Sequence, residues 1–178
     1  MKLTRFLPLF FVLLLGGIIV MAMGEQNNST VSPLQERSVP EFSLASLQQE
    51  SLTLTEVSLT GQLQLLNVWA SWCGICKSEH AFLMELAKQD QVKIVGLNYR
   101  DDRQSALNEL AASGNPYQKV IFDPKGSLAL DLGVYGTPES YLIDQNGVIR
   151  QRYVGTLTPQ IWQQEFVPVI NQLSSVTL

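Results

Sequence analysis

The chain has 178 residues, 46% of them hydrophobic and 16% charged, and a formal net charge of -4 from 12 basic and 16 acidic side chains. That length accommodates one globular domain and an appendage but not two full domains, and the composition leaves room for no more disorder than a short linker. An acidic balance without a basic cluster lacks the footprint that a phosphate backbone demands, which excludes nucleic acid as a partner.

Lys2 and Arg5 precede an uncharged run from Phe6 to Gly24. As a helix this run is roughly 28 Å long, enough to cross a hydrocarbon core. Residues 1–24 are therefore expected to form an N-terminal transmembrane helix, a single-pass anchor. The two cations ahead of it place the amino terminus in the cytoplasm and the rest of the chain outside. A cleaved signal peptide is the competing reading, because Ala22 and Gly24 make a weak small-x-small site. The apolar run exceeds the usual signal core of about 7 to 15 residues, which favours the anchor. Residues 25–40 are mostly Glu, Gln, Asn, Ser, Thr and Pro with no apolar period, and read as a polar linker. The folded domain is expected over residues 41–178.

Within it, strand and helix signals alternate. Phe42-Ser43-Leu44 and Leu52-Thr53-Leu54 predict a short hairpin, and Leu63 to Trp69 is an apolar run of buried-strand length interrupted by Asn67. Phe82, Leu83, Leu86 and Ala87 share a helical stripe with Cys76, so a helix follows the cysteines. Val92 to Tyr99 predicts the next strand. Asp102 can cap a helix with Ala106, Leu107, Leu110 and Ala111 on its apolar face, and Gly114 stands where that helix stops. Lys119 to Phe122 predicts a further strand, Asp123-Pro124-Lys125-Gly126 a turn, and Leu128 to Leu132 a brief helix. Asn146-Gly147 between Ser140–Ile143 and Val148–Val154 is a strong hairpin signal. Thr158-Pro159 has the cap and first-turn arrangement of a last helix, whose face carries Trp162, Phe166, Val169, Ile170 and Leu173 and which Pro168 should kink or divide. This order predicts a single α/β domain with a central mixed sheet flanked by helices.

The chain has two cysteines, Cys73 and Cys76, in Trp72-Cys73-Gly74-Ile75-Cys76 at the junction of a buried strand and a helix. Free amides and the positive end of the helix dipole favour negative charge on Cys73, which makes it the expected nucleophile. Cys76, one turn further on the core-facing stripe, is suited to resolve a mixed disulfide. Glu79 and His80 stand three and four residues after Cys76, on its side of the helix, where either can relay a proton. A structural zinc site needs about four ligands, and only His80 joins the two cysteines. Lys77 stands where haem attachment requires histidine. No cofactor motif is present.

Asn67-Val68-Trp69-Ala70-Ser71-Trp72-Cys73 with Cys76, Glu79-His80, Asn98-Tyr99-Arg100-Asp101-Asp102, Asn115-Pro116-Tyr117 and Gly133-Val134-Tyr135-Gly136-Thr137-Pro138-Glu139 closely resembles the DsbE/CcmG family, over most of the chain from about Phe42 to Leu173. Those proteins are membrane-anchored, thioredoxin-like reductases of cytochrome c maturation. The resemblance implies a thioredoxin-like fold, a cis bond between Thr137 and Pro138 facing the cysteines, and acidic Glu79 and Glu139 beside the active site. It implies a catalytic domain in the periplasm, held at the cell inner membrane. The partners it implies are apocytochrome c or a cytochrome-maturation thiol protein as substrate, and a membrane thiol-reducing carrier of the CcdA/DsbD type. Asn67 stands where general thioredoxins have a buried aspartate, so proton handling is expected to pass to another carboxylate such as Glu79. Gly74-Ile75 departs from the family, which commonly has a proline in this dipeptide, and this bears on the reduction potential through the lost φ restraint. The rival functions are a general extracytoplasmic disulfide reductase or oxidant and, from another class, a copper-binding chaperone using Cys73, Cys76 and His80.

Overall fold

The computed structural model describes residues 36–89 and 91–176. The expected transmembrane helix at 1–24 lies outside the described residues, and among those described no helix is long and apolar enough to cross a membrane.

The predicted first hairpin forms from β1 (Ser43–Ala45) and β2 (Thr53–Thr55), antiparallel with Leu44 opposite Leu54. A 3-10 turn at Glu56–Leu59 then leads to β3 (Gln64–Trp69), in which every residue is buried. Such a strand reads as a continuous apolar run because layers cover both of its faces. After it come α1 (Cys76–Ala87), β4 (Lys93–Tyr99), α2 (Arg103–Ser113), β5 (Lys119–Asp123), α3 (Ser127–Asp131), β6 (Glu139–Ile143) and β7 (Ile149–Val154). The chain ends in α4 (Pro159–Ile161), a π-helical turn (Trp162–Phe166) and α5 (Val167–Val176).

The five-stranded sheet has the order β5-β4-β3-β6-β7, with β3, β4 and β5 parallel and β6 and β7 antiparallel additions. The two parallel crossovers step the same way across the sheet, so right-handed connections put α1 and α2 on one face. Leu83, Leu86, Ala106, Leu110, Trp162, Phe166 and Ile170 bury there against Leu65, Trp69, Ile94 and Leu142. The opposite face packs Leu66, Val68, Val95 and Tyr141 against Leu128, Leu132 and Leu59.

Asp102 accepts from the Ser105 N–H as the cap of α2, and Gly114 ends that helix at φ +91°. The buried stripe of α2 is narrower than its pattern implies, for Leu107 is half-buried and Ala111 exposed. Helical structure runs without a break from Pro159 through Pro168 to Val176, so Pro168 does not interrupt it. The wide turn ahead of it, in which the Val167 N–H donates to Trp162 O, absorbs the missing donor. Residues 36–39, read from sequence as linker, belong to the sheet edge. Glu36 N–H donates to Ile149 O, Ile149 N–H to Arg37 O and Val39 N–H to Gly147 O, and Val39 is buried. Backbone pairing of this kind asks nothing of side-chain polarity, so it left no apolar period in the sequence.

Candidate active site

The carboxyl end of β3 delivers Trp69-Ala70-Ser71-Trp72 to Cys73, and the Cys73 N–H donates to Ala70 O at 3.1 Å to close the turn. The segment after β4 buttresses this loop. Asp101 accepts the Ser71 N–H at 2.6 Å, the Ser71 hydroxyl at 2.7 Å and the Asn98 side-chain amide at 2.8 Å. Trp72 Nε1 donates to Arg100 O at 3.0 Å, and Arg100 adopts a left-handed φ of +46° to present that carbonyl. Asn98 and Asp101 thus acquire a structural part that sequence reasoning did not assign, although both stand in the family-like segment.

Cys73 and Cys76 are joined as a disulfide with their Cα atoms 5.4 Å apart. Cys76 is the first residue of α1, and its backbone N–H points at Cys73 Sγ at 3.1 Å. That amide, with the helix dipole behind it, is placed to stabilise a thiolate on Cys73. Residue exposure does not rank the two cysteines, at 5% for Cys73 and 7% for Cys76. Their positions relative to the helix do. Trp72 and Ile75 stand exposed on either side of Cys73.

Glu79 lies one turn beyond Cys76 and is 1% exposed. Its Oε1 accepts from Asn67 Nδ2 at 2.8 Å and its Oε2 from the Leu157 N–H at 2.6 Å. Burial dominates and pushes its pKa up to about 7, against the opposing pull of the Leu157 and Asn67 donors. A carboxyl so poised can hold or release a proton near neutral pH. His80 is half-buried and turned away from this task, its Nε2 donating to Ser113 O at 3.1 Å. Among the described residues no three His, Cys, Asp or Glu side chains are grouped to hold a metal ion.

The Thr137–Pro138 bond is cis. β6 runs antiparallel to β3 with Glu139 opposite Val68, so Pro138 continues opposite Trp69 at the sheet end from which the cysteine loop departs. Strand alternation then sends neighbouring side chains to different faces. Ser140 joins Asn67 on the cysteine side at 3.2 Å. Glu139, fully buried, joins Tyr141 on the other face. There its Oε2 accepts from Arg152 Nε at 3.0 Å, Arg152 Nη2 at 2.8 Å and the Tyr141 hydroxyl at 2.8 Å, while Oε1 accepts the Tyr135 N–H at 2.8 Å. The structure therefore brings Cys73, Cys76 and Glu79 together on one face with Pro138 at the same sheet end. It puts the Glu139 carboxylate behind the sheet, where it holds the loop that precedes Pro138.

The Redoxin family matches residues 34–166. The chain is 49% identical to a DsbE-2 thiol:disulfide interchange protein of Pasteurella multocida, over 96% of this chain and 89% of the relative. It is 44% identical to the thiol:disulfide interchange protein DsbE of Vibrio cholerae, over 97% and 96% respectively. It is also 44% identical to the Escherichia coli DsbE, over 86% and 83%. Among solved structures, a secreted thiol-disulfide isomerase of Corynebacterium glutamicum superposes with a TM-score of 0.65 at 23% identity, covering 75% of this chain and 85% of that one. A DsbF homologue of Corynebacterium diphtheriae does so with a TM-score of 0.66 at 22% identity, covering 83% and 96%. The structural likenesses establish the thioredoxin-like fold. The sequence relatives agree with a helix-start disulfide built for exchange: the chain is a thiol:disulfide oxidoreductase and belongs to the DsbE family of thiol:disulfide interchange proteins.

Proposed function

We propose that this protein is a membrane-anchored reductase of the periplasm that opens the disulfide of apocytochrome c, or of a maturation thiol protein bound to it, so that the cysteines of a C-x-x-C-H segment are free for haem. The observation that carries the reading is the Cys73–Cys76 disulfide at the amino end of α1, with the Cys76 amide turned to Cys73 Sγ. The anchor is residues 1–24, with the catalytic domain on the outer side of the cell inner membrane. There an oxidising compartment tends to close the very thiols that haem attachment needs.

In the reduced protein, Cys73 attacks as the thiolate. Its sulfur bonds to one sulfur of the substrate disulfide, and the other leaves as a thiolate that takes up a proton. Cys76 then gives its proton to Glu79 and attacks Cys73 Sγ. The mixed disulfide breaks, the second substrate thiol is released, and the protein is left oxidised by two electrons. Pro138 backs the substrate strand at the same sheet end, and Glu139 is the residue that holds its loop in place. A membrane thiol carrier of the CcdA/DsbD type returns the electrons.

Replacing Cys73 with alanine should leave apocytochrome synthesis intact and lower holocytochrome c, with partial recovery on adding an external thiol. Replacing Cys76 with alanine should trap apocytochrome c or its maturation partner as a mixed disulfide at Cys73. Normal holocytochrome c in the Cys73 variant under oxidising growth, with no redundant reductase present, would refute this substrate and indicate a general exchange enzyme.

A further inference from the structure

Asn115-Pro116-Tyr117 has no part in the exchange steps above. Asn115 Oδ1 accepts the Tyr117 N–H at 3.0 Å, an Asx turn that brings the chain back beneath the sheet face. The Tyr117 ring stacks on Trp69, centroids 5.5 Å apart and planes inclined by 17°, over the bare Gly96 backbone. Tyr117 is buried, and its hydroxyl donates to Asn67 Oδ1 at 2.9 Å. Asn67, itself fully buried on β3, gives its Nδ2 hydrogens to Glu79 Oε1 at 2.8 Å and Ser140 Oγ at 3.2 Å.

A side-chain amide has nearly the same shape in its two flipped orientations, so packing alone does not select between them; the hydrogen-bond set does. With Nδ2 towards Glu79, the amide stabilises the carboxylate. Turned by half a revolution it sets Oδ1 against that carboxylate, and both the Tyr117 and Ser140 hydroxyls have to reverse their roles. The Tyr117 hydrogen bond opposes that reversal.

We propose that Tyr117 is a positioning residue of the exchange reaction: by holding the Asn67 amide with its N–H turned to Glu79, it governs how readily Glu79 takes the proton that Cys76 loses. This rests on the reading of Glu79 as that acceptor. The titratable groups facing Glu79 are Cys76 on its own helix and Tyr117 from the segment before β5. β3 brings the neutral Asn67, and the segment before α4 brings the Leu157 amide.

The test uses the reduced full chain and dithionitrobenzoate. Attack by Cys73 releases one coloured thiolate and leaves a mixed disulfide, and closure by Cys76 releases the second. The rate of that second phase is followed from about pH 5 to 9. The unsubstituted chain should show an inflection near pH 7, and Glu79→Gln should abolish it. Tyr117→Phe keeps the ring on Trp69 and should move the inflection upward by about half to one pH unit, the equivalent of one weakened hydrogen bond to the carboxylate. An inflection that stays in place in Y117F, while E79Q still abolishes it, refutes the positioning role and leaves Glu79 as acceptor. An inflection that survives in E79Q removes the Glu79 reading and this inference with it. A purely structural tyrosine would lower the unfolding midpoint without moving the inflection. Nitrogen-15 NMR of the unsubstituted chain asks the same question without a variant. The two Asn67 side-chain hydrogens should exchange slowly with water and shift with the midpoint of Glu79, and a freely averaging amide overturns the proposal.

Discussion

Replacing Arg152 with leucine takes away the guanidinium that bonds Glu139 twice, through Nε and Nη2, and the Gly133 carbonyl once at 2.7 Å. Both partners are out of solvent, with side-chain exposures of 8% and 0%. Desolvation makes such a pair a weak net contributor, yet removing one member leaves an uncompensated buried charge, which costs about 3–5 kcal/mol. For a domain of this size about 1 kcal/mol moves the unfolding midpoint by about 2–4 °C, so the oxidised protein should melt roughly 6–20 °C lower. Adding Glu139→Gln to Arg152→Leu removes the stranded charge and should recover part of the loss. Urea and thermal unfolding of the single and double variants measure both effects. A loss below about 1 kcal/mol in the single variant, or a double variant no more stable than the single, would refute the clamp.

Glu79 makes stability depend on pH in a defined direction. Its carboxyl rises from the ordinary 4.5 to about 7 on folding, so the folded state prefers the proton. The stabilisation is complete below about pH 4.5 and disappears as pH rises through 7, on the order of 3 kcal/mol at most, and Glu79→Gln should flatten that slope in urea titrations. At Gly96 an added Cβ would lie 2.8 Å from Trp69 Nε1 and 3.1 Å from the Tyr117 ring. Gly96→Ala should therefore cost about 1–3 kcal/mol by overpacking in the same assay, and a neutral result would mean that the two rings yield freely. Ile75 has φ -68° and ψ -35°, values a proline adopts without strain. Ile75→Pro should stabilise the oxidised protein by about 0.4–1 kcal/mol through the unfolded chain, and destabilisation would show that the loop relies on the Ile75 side chain or N–H.

Local chemistry carried much of the architecture into the sequence. Asn146-Gly147 set the last hairpin, Thr158-Pro159 the start of the final helix, and the run from Leu63 to Trp69 the strand that delivers the cysteines. The position of Cys73 just ahead of a helix was legible for the same reason, because it depends on neighbours in the chain. Contacts between distant residues were not. Alternation along β6 separates Glu139 from Ser140, but nothing local says which face carries the cysteines; it was the family resemblance that implied Glu139 as an acid of the site. Its partner Arg152 lies across a hairpin whose register shifts at Leu142–Ile143, a bulge without a local signature. The Tyr117 hydroxyl meets an amide 50 residues away in the chain, a contact made by the β3–β4 pairing and the turn at Asn115 together.

The wide turn at Trp162–Phe166 acts as a reading-frame shift within the last helix. One residue more than an α-helical turn requires rotates everything after it by about 100° around the axis. The sequence from Val167 onward is written for the shifted frame, in which Ile170 reaches the core beside Phe166. Loss of a single residue between Trp162 and Pro168 would remove the extra residue and the wide turn together, restoring an ordinary helix in which Ile170 keeps its face, seven residues on from Trp162. The same deletion would also bring the nitrogen of Pro168 to a place where the regular helix expects a donor. The penalty of that change would therefore fall on the Pro168 ring against the preceding turn, and not on the register of the core.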